Sequence, residues 1–153
     1  MPGFLLYPVH PIFFIQTPKQ VVMTWGQDFQ LRRVFECAAS PNPKPSWYGE
    51  SVGHYEGDTL VVDTIGLNDK TVVDVYRTPH TEKLHVVERW RVVDGGNAME
   101  VIFTVEDPDV FYEPWTGMRR YRRVQQEPYE KICAENNTNL FDYHMPVAEK
   151  PDF

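Results

Sequence analysis

The sequence predicts an all-β fold, and three observations indicate it. The chain of 153 residues holds 19 valines and 21 aromatic residues but only 7 leucines and 5 alanines, a bias that suits a pleated sheet better than a helix. Short apolar runs alternate with turn residues, and no stretch keeps apolar spacings of three and four over three helical turns. Without helices to cover a sheet face, the strands must form a barrel or a sandwich to bury their apolar side chains. We therefore expect an antiparallel barrel of about eight to ten strands, calycin- or lipocalin-like, with a β-sandwich as the second choice.

In the N-terminal half, turn residues separate the predicted strands. Thr17-Pro18 ends the first apolar run, and Gly26-Gln27-Asp28 predicts a hairpin between the second run and the third. Pro41, Pro43 and Pro45 alternate with other residues and predict an extended connection that cannot lie in a central ladder. The strands expected here cover residues 12–15, 20–25 and 29–36.

In the C-terminal half, Glu56-Gly57-Asp58 and Asp94-Gly95-Gly96-Asn97 each predict a hairpin connection, the second from its turn residues alone. Residues 66–81 form a predicted loop that contains one short strand. The strands expected here cover residues 51–55, 59–65, 72–76, 84–93, 98–105 and 115–124, and residues 129–135 are a last strand or one helical turn. We expect a single barrel domain over residues 1–153, with extended termini at 1–10 and 141–153.

Charge and composition argue against several classes of protein. A net charge of −7 disfavours nucleic acid or an anionic membrane as the partner, and no apolar run is long enough to span a bilayer. The basic cluster 119–123 would divide between two faces of a strand. The first residues lack the pattern of a signal peptide, so we expect a cytoplasmic chain in which Cys37 and Cys133 are free thiols, although the fold could bring them together.

One long stretch resembles a known family. Residues 45–64 read Pro-Ser-Trp-Tyr-Gly-Glu-Ser-Val-Gly-His-Tyr-Glu-Gly-Asp-Thr-Leu-Val-Val-Asp-Thr, and Pro79-His80-Thr81-Glu82, Asp107-Pro108 and Pro114-Trp115 follow in order. This pattern resembles a widespread family of mostly uncharacterised bacterial proteins, over roughly residues 11–139. The resemblance implies membership of that family and no catalytic residue.

Strand alternation identifies one polar residue that should point inward. Leu84, Val86, Glu88 and Trp90 share one face of their strand, and Glu88 alone among them is polar. Desolvation can hold a carboxylate on an apolar wall near neutral pKa, as a general acid or base requires. The alternatives are that Glu88 pairs with an inward arginine such as Arg33 or Arg119, or that it faces water at a sandwich edge.

Two histidines and a second carboxylate complete the predicted catalytic set. His54 precedes a hairpin turn and His80 lies just before a strand, so both could stand at one end of a barrel. Asp63 lies among apolar residues of its strand. If these groups meet, they form a histidine–carboxylate dyad that can move a proton between carbon and oxygen.

A metal site is the alternative use of the same residues. His54 and Glu56 share one strand face, and His80 and Glu82 repeat that spacing, so the four could ligate a metal ion in a metal-dependent enzyme. The chain has no Gly-x-Ser-x-Gly elbow and no Gly-rich phosphate loop. We therefore expect chemistry that needs no cofactor and no metal.

The aromatic content predicts a pocket. Aromatic side chains with few polar groups bind hydrophobic small molecules, and the predicted substrate-binding residues are Trp25, Tyr48, Tyr55, Trp90, Phe103, Trp115 and Tyr121. The sequence thus predicts a small enzyme, a lyase or isomerase of the dehydratase or cyclase type, that acts on an apolar or aromatic molecule. The alternatives are a lipocalin-like binding protein without catalysis and a purely structural domain, and edge strands could pair two copies in a homodimer.

Overall fold

The computed structural model describes residues 11–26, 31–36, 38–74 and 76–125. Within them the chain forms one eight-stranded sheet and a single 3₁₀ turn, Asp94–Gly96. The strands are β1 Ile12–Gln16, β2 Gln20–Trp25, β3 Leu31–Phe35, β4 Glu50–Glu56, β5 Thr59–Ile65, β6 His85–Val93, β7 Ala98–Glu106 and β8 Trp115–Arg122. The prediction of an all-β, barrel-like fold is confirmed.

The strands follow one another through the sheet in chain order, and one pair differs from the expected antiparallel pattern. β3 and β4 run parallel, with Val34 opposite Ser51 and Phe35 opposite Val52. A parallel pair needs a connection that returns the chain to the same end of the sheet, commonly a dozen residues or more. The Pro-rich residues 36–49 provide that length between the two strands.

The sheet curls into a half-barrel. Phe14 on β1 contacts Trp90 on β6, with ring centroids 5.3 Å apart, although four strands lie between them in the sheet. Arg32 on β3 reaches Glu88 on β6 in the same way. No ladder joins β1 to β8 among the residues described, so the two outer strands leave an opening.

The core lies on the concave face. β2 and β6 alternate between buried and more exposed residues, which is the pattern of strands with one face in the core. The buried apolar residues of this face include Met23, Val34, Val62, Val86, Val101 and Val105. Branched valines fill most of these positions, which explains the high valine content of the chain.

The hairpin between β6 and β7 forms as its turn residues predict. Asp94, Gly95 and Gly96 all have positive φ, and glycine adopts this region without steric cost. The short strand expected at 72–76 is absent from the described part of that segment. There Asp74 accepts hydrogen bonds from the backbone N–H groups of Tyr76 and Thr78 and from the Thr78 hydroxyl, so local side-chain bonds hold a turn instead.

Several expectations fall on residues outside the described ranges. Cys37 and Cys133 are among them, as are the termini 1–10 and 141–153 and the element expected at 129–135. Among the residues that are described, no helix has the length and apolar character needed to cross a bilayer.

Candidate functional site

A buried polar network lies inside the half-barrel. Strand alternation places Arg32 on the concave face of β3, between the exposed residues Leu31 and Arg33. Ser51 on β4 and Thr64 on β5 lie directly opposite each other, and Glu88 lies on the concave face of β6. The curl of the sheet brings these four side chains together, although 56 residues separate Arg32 from Glu88 in the chain.

Every nitrogen of the Arg32 guanidinium donates a hydrogen bond in this network. Nη1 lies 3.0 and 2.9 Å from the two carboxylate oxygens of Glu88, Nε lies 3.0 Å from Ser51 Oγ, and Nη2 lies 2.5 Å from Thr64 Oγ1. The indole Nε1 of Trp90 donates to Glu88 Oε2 over 2.9 Å. Glu88 is completely buried and Arg32 is 6% exposed. The two charges therefore compensate each other, as a buried ion pair requires.

Glu88 points inward, as strand alternation predicts, and its partner is an inward arginine. That arginine is Arg32, whereas the sequence analysis considered Arg33 and Arg119. Arg33 lies on the exposed face of β3 because its neighbour Arg32 occupies the concave one. A catalytic role for Glu88 stays a prediction, and the geometry shows a carboxylate whose oxygens are already engaged.

His80 is buried in the loop before β6 and has two hydrogen-bond partners. Its Nδ1 lies 2.8 Å from the Thr81 carbonyl oxygen and its Nε2 lies 2.6 Å from Thr71 Oγ1. Because a carbonyl only accepts, Nδ1 carries the proton, and a neutral ring then accepts from the Thr71 hydroxyl at Nε2. Burial lowers the pKa of His80, which favours this neutral form. The His80 ring thus links Thr71 to Thr81 within the loop.

His54 and Asp63 lie on the convex face, away from the interior. His54 Nε2 contacts Glu56 Oε1 at 3.2 Å, and Glu56 also pairs with Arg89. The hydrogen bond from Arg89, and a weaker one from His54, hold the pKa of Glu56 below its usual value. These side chains form an exposed ion-pair cluster on the surface.

Asp63 meets a histidine, but one that the sequence analysis did not choose. Its Oδ1 lies 3.1 Å from His85 Nε2, and His85 Nδ1 lies 3.6 Å from Glu106 Oε2. Asp63 stands opposite Val87 in the ladder, so His85 is its diagonal neighbour on the convex face. The structure therefore does not bring the four predicted catalytic residues together: His54 and Asp63 are on one face, Glu88 is on the other, and His80 is in a loop.

The predicted metal ligands do not converge either. His54 and Glu56 are neighbours on the convex face, whereas His80 is enclosed by Thr71 and Thr81. Across the ranges that the structure describes, no three histidine, cysteine, aspartate or glutamate side chains are arranged to hold a metal ion. The geometry gives the metal alternative no support.

The predicted aromatic residues divide between the concave face and the surface. On the concave face, Trp25, Trp90 and Phe103 are buried, and Trp115 and Tyr121 are partly buried and packed against the core. Tyr55 is 48% exposed and lines two small cavities near β4. Tyr48 is outside this group: it lies on the connection before β4 and lines a separate cavity of about 650 Å³ beside β3.

A larger cavity occupies the opening between the first and last strands. This β1/β8 cleft has a volume of about 760 Å³. Its walls are formed by the backbone and side chains of Pro11, Ile12, Phe13, Phe14, Val92, Gly96, Ala98, Met99, Arg120, Tyr121, Arg122, Arg123 and Val124. Most of the wall is apolar. Its charged residues are Arg120 and Arg122 of β8 and Arg123, which follows β8.

An aromatic cluster adjoins the β1/β8 cleft, and two of its members, Phe14 and Tyr121, line the cleft. The Trp90 ring meets Phe14 edge-on at 5.3 Å and stacks on Tyr121 at 5.9 Å. Burial raises the pKa of Tyr121 to about 12; the nearby Arg119 charge opposes this shift and the Glu88 charge adds to it. The Tyr121 phenol is therefore protonated at neutral pH. Sequence reasoning selected Trp90 and Tyr121 but did not select Phe14 or Met99, which alternation on β1 and β7 would have indicated.

Comparisons with models of protein families, with curated proteins and with solved structures found no significant match to this chain. The family resemblance of residues 45–64 therefore stays a prediction.

Proposed function

We propose that this protein binds an apolar or aromatic small molecule in the β1/β8 cleft. The observation that carries the proposal is the opening between β1 and β8, which holds a cavity of about 760 Å³ that Phe13, Phe14 and Tyr121 help to line. This volume lies within the range of about 300–1,000 Å³ that is usual for small-molecule sites. Binding without catalysis was the alternative reading of the sequence.

The two regions of the concave face support this assignment. Around Glu88 the interior holds buried valines such as Val62 and the buried Arg32 network, whose polar groups bond to each other. At the β1/β8 cleft, Phe14, Met99 and Tyr121 pack against the core yet line a cavity. A ligand seated there covers apolar surface that water otherwise touches, at roughly 25 cal/mol for each Å².

The placement of the predicted catalytic residues also favours binding. Each of the four is engaged by other side chains, and no two of them contact each other in the described part of the chain. A proton relay needs its members within hydrogen-bond reach.

Acid–base catalysis in the same cleft is the second candidate function, as a lyase or isomerase, and Tyr121 is the observation that favours it. Its protonated phenol lines the cleft and can donate to a substrate oxygen. Binding alone predicts an affinity that is nearly constant between about pH 5 and pH 8, whereas turnover with a bell-shaped pH profile would favour catalysis. The cytoplasmic location and the homodimer stay predictions.

Titration with N-phenyl-1-naphthylamine, a neutral probe that fluoresces in apolar surroundings, tests the binding function. Met99 and Met118 provide a matched pair of variants, because Met99 lines the β1/β8 cleft and Met118 is 60% exposed on the convex face. We expect Met99→Glu to weaken probe binding by about tenfold or more, since it places a carboxylate in the apolar wall. Met118→Glu should leave the dissociation constant within about twofold of wild type.

Circular dichroism checks that both variants fold. The proposal fails if the wild-type protein shows no saturable probe binding, or if the two variants bind the probe equally well.

A further inference from the structure

A second large cavity lies beside β3 and shares no lining residue with the β1/β8 cleft. This β3 cavity has a volume of about 650 Å³, which is within the range of about 300–1,000 Å³ that is usual for small-molecule sites. Its walls are formed by β3, by the Pro-rich connection 36–49 and by the first residues of β4. It is therefore a candidate for a separate binding site.

The path of the chain between β3 and β4 creates this cavity. The parallel ladder joins only two residues of each strand. Before β4 begins, Ser46 donates its backbone N–H to the Gly66 carbonyl and accepts a bond from the Asn68 N–H, so this part of the connection follows the segment after β5. Among the described residues, no strand pairs with residues 31–33 on the side of β3 that faces β4. The gap left there is the β3 cavity.

Close packing fixes the wall that the connection provides. Gly66 lies against Pro43, since a Cβ atom at Gly66 would be 2.8 Å from the Pro43 Cβ. Gly49 has a φ of +66° and lies so close to the Ile65 carbonyl oxygen that a Cβ atom would be 2.4 Å from it. A wall that is already ordered in the free protein lowers the entropic cost of binding.

Three large apolar side chains that line the β3 cavity are exposed. Leu31, Phe35 and Tyr48 are 50%, 41% and 42% exposed. Leu31 and Phe35 share one face of β3, as strand alternation requires. An isolated exposed apolar residue is common on protein surfaces, whereas several around one cavity are typical of a binding surface.

Two positively charged side chains line the same cavity. Arg33 and Lys44 are both exposed. No carboxylate of the described ranges forms an ion pair with either of them. Their charges are therefore accessible to an anion that enters the cavity.

The wall contains one carboxylate, and it is already engaged. Glu50 accepts hydrogen bonds from the Ser40 backbone N–H over 2.5 Å and from the Ser40 hydroxyl over 2.7 Å. These bonds hold the pKa of Glu50 below its usual value, so the group is ionised at neutral pH. Arg32, which also lines the cavity, is paired with Glu88. The cavity wall thus carries one more positive charge than negative, although the chain has a net charge of −7.

We propose that the β3 cavity binds a small organic carboxylate, a monoanion with an apolar or aromatic body. The carboxylate pairs with Arg33 and Lys44 and compensates the single excess charge of the wall. The body packs on Leu31, Phe35 and Tyr48. The inference concerns a different cavity from the proposed function and does not depend on it.

Naphthalene-2-carboxylate and its neutral amide, naphthalene-2-carboxamide, are a matched pair of probes for this site. Titration followed by ¹⁵N amide chemical shifts locates each probe and measures its dissociation constant. We expect saturable shifts at residues 31–35 and 42–51, and about tenfold tighter binding of the carboxylate at low ionic strength. Raising NaCl from about 0.02 M to about 0.5 M should reduce this advantage to about threefold or less, because salt screens exposed charges.

Variants separate the charges from the apolar surface. Arg33→Gln/Lys44→Gln should weaken binding of the carboxylate by about tenfold and of the amide by less than about twofold. Lys70→Gln removes an exposed charge that does not line the cavity and should leave both affinities within about twofold of wild type. Tyr48→Ala should weaken both probes to a similar extent, by about fivefold, since it removes apolar contact area. Circular dichroism checks that each variant folds.

The outcomes distinguish this inference from the proposed function. Absence of saturable naphthalene-2-carboxylate binding, or shifts confined to residues that line the β1/β8 cleft, would overturn the inference. Equal affinities of the two probes in the wild type, or equal losses in the double variant and in Lys70→Gln, would also overturn it. Met99→Glu tests the cleft alone and should leave the naphthalene-2-carboxylate affinity within about twofold of wild type.

Discussion

Glu88→Gln is the substitution whose effect the structure defines best. The glutamine has the size of glutamate but lacks its charge, so Arg32 would keep a buried guanidinium, 6% exposed, beside a neutral side chain. Removing one partner of a buried ion pair typically costs about 3–5 kcal/mol, because the other charge stays desolvated. For a chain of this length, that corresponds to a decrease in Tm of roughly 6–20 °C.

Urea denaturation followed by tryptophan fluorescence measures this loss. The control is Glu106→Gln, which removes a carboxylate of the convex face whose side chain is 51% exposed. A surface ion pair contributes less than about 1 kcal/mol, so this control should be nearly as stable as wild type. Where Glu88→Gln remains folded, N-phenyl-1-naphthylamine should bind with its wild-type affinity within about threefold, because Glu88 does not line the β1/β8 cleft.

The double variant Arg32→Met/Glu88→Leu measures the coupling free energy between the two charges. It removes both charges, and Ser51 and Thr64 can still bond each other across 3.0 Å. The Trp90 indole loses the Glu88 acceptor, which costs about 1–3 kcal/mol. The double variant should therefore be more stable than either single variant, with a coupling of at least about 2 kcal/mol. Additive single losses, or a loss below about 1 kcal/mol for Glu88→Gln, would refute this account of the network.

Two further predictions concern His80 and Gly117. Burial lowers the pKa of His80 in the folded state, so the unfolded state binds more protons as the pH falls below about 6.5, and stability is lost in that window. His80→Gln should flatten the dependence of the unfolding free energy on pH between about 5.5 and 7.5, as measured by urea denaturation at a series of pH values. A Cβ atom at Gly117 would lie 2.4 Å from the Phe103 ring. Gly117→Ala should therefore cost about 1–3 kcal/mol in urea denaturation, and Thr116→Ala on the convex face less than about 1 kcal/mol; equal stability of these two variants would contradict the packing.

Local pattern was sufficient to predict most of the strands but not their directions. The β6–β7 hairpin follows from Asp94-Gly95-Gly96-Asn97, because the first three of these residues adopt the positive φ angles that the turn needs. The parallel pairing of β3 with β4 depends on how a long connection returns to the sheet, which no local pattern encodes. At 72–76, three hydrogen bonds donated to Asp74 determine the backbone conformation, and they outweigh the β-propensity of valine.

In the candidate site too, the sequence predicts which face of a strand a residue occupies but not which residues meet across the sheet. Alternation within β6 identifies the inward Glu88, since each strand determines the faces of its own residues. It does not identify Arg32, because that partner depends on the curl that brings β3 to β6. His54 and Asp63 do not reach Glu88 because both lie on the convex face of their strands, where Asp63 meets its diagonal neighbour His85 instead.

The contrast between Arg32 and Arg119 follows from the places that their strands take in the half-barrel. A buried polar group is stabilised either by partners in its own chain or by partners that arrive from outside. The curl of the sheet brings β3 and β6 face to face, so Arg32 finds Glu88, Ser51 and Thr64 within the fold. β8 is an outer strand, and in the described ranges no strand pairs with its free edge, so Arg119 Nη1 has no such partner. The buried arginine of β3 is therefore paired within the fold, whereas the inner arginine of the outer strand β8 keeps a buried donor without a partner among the described residues.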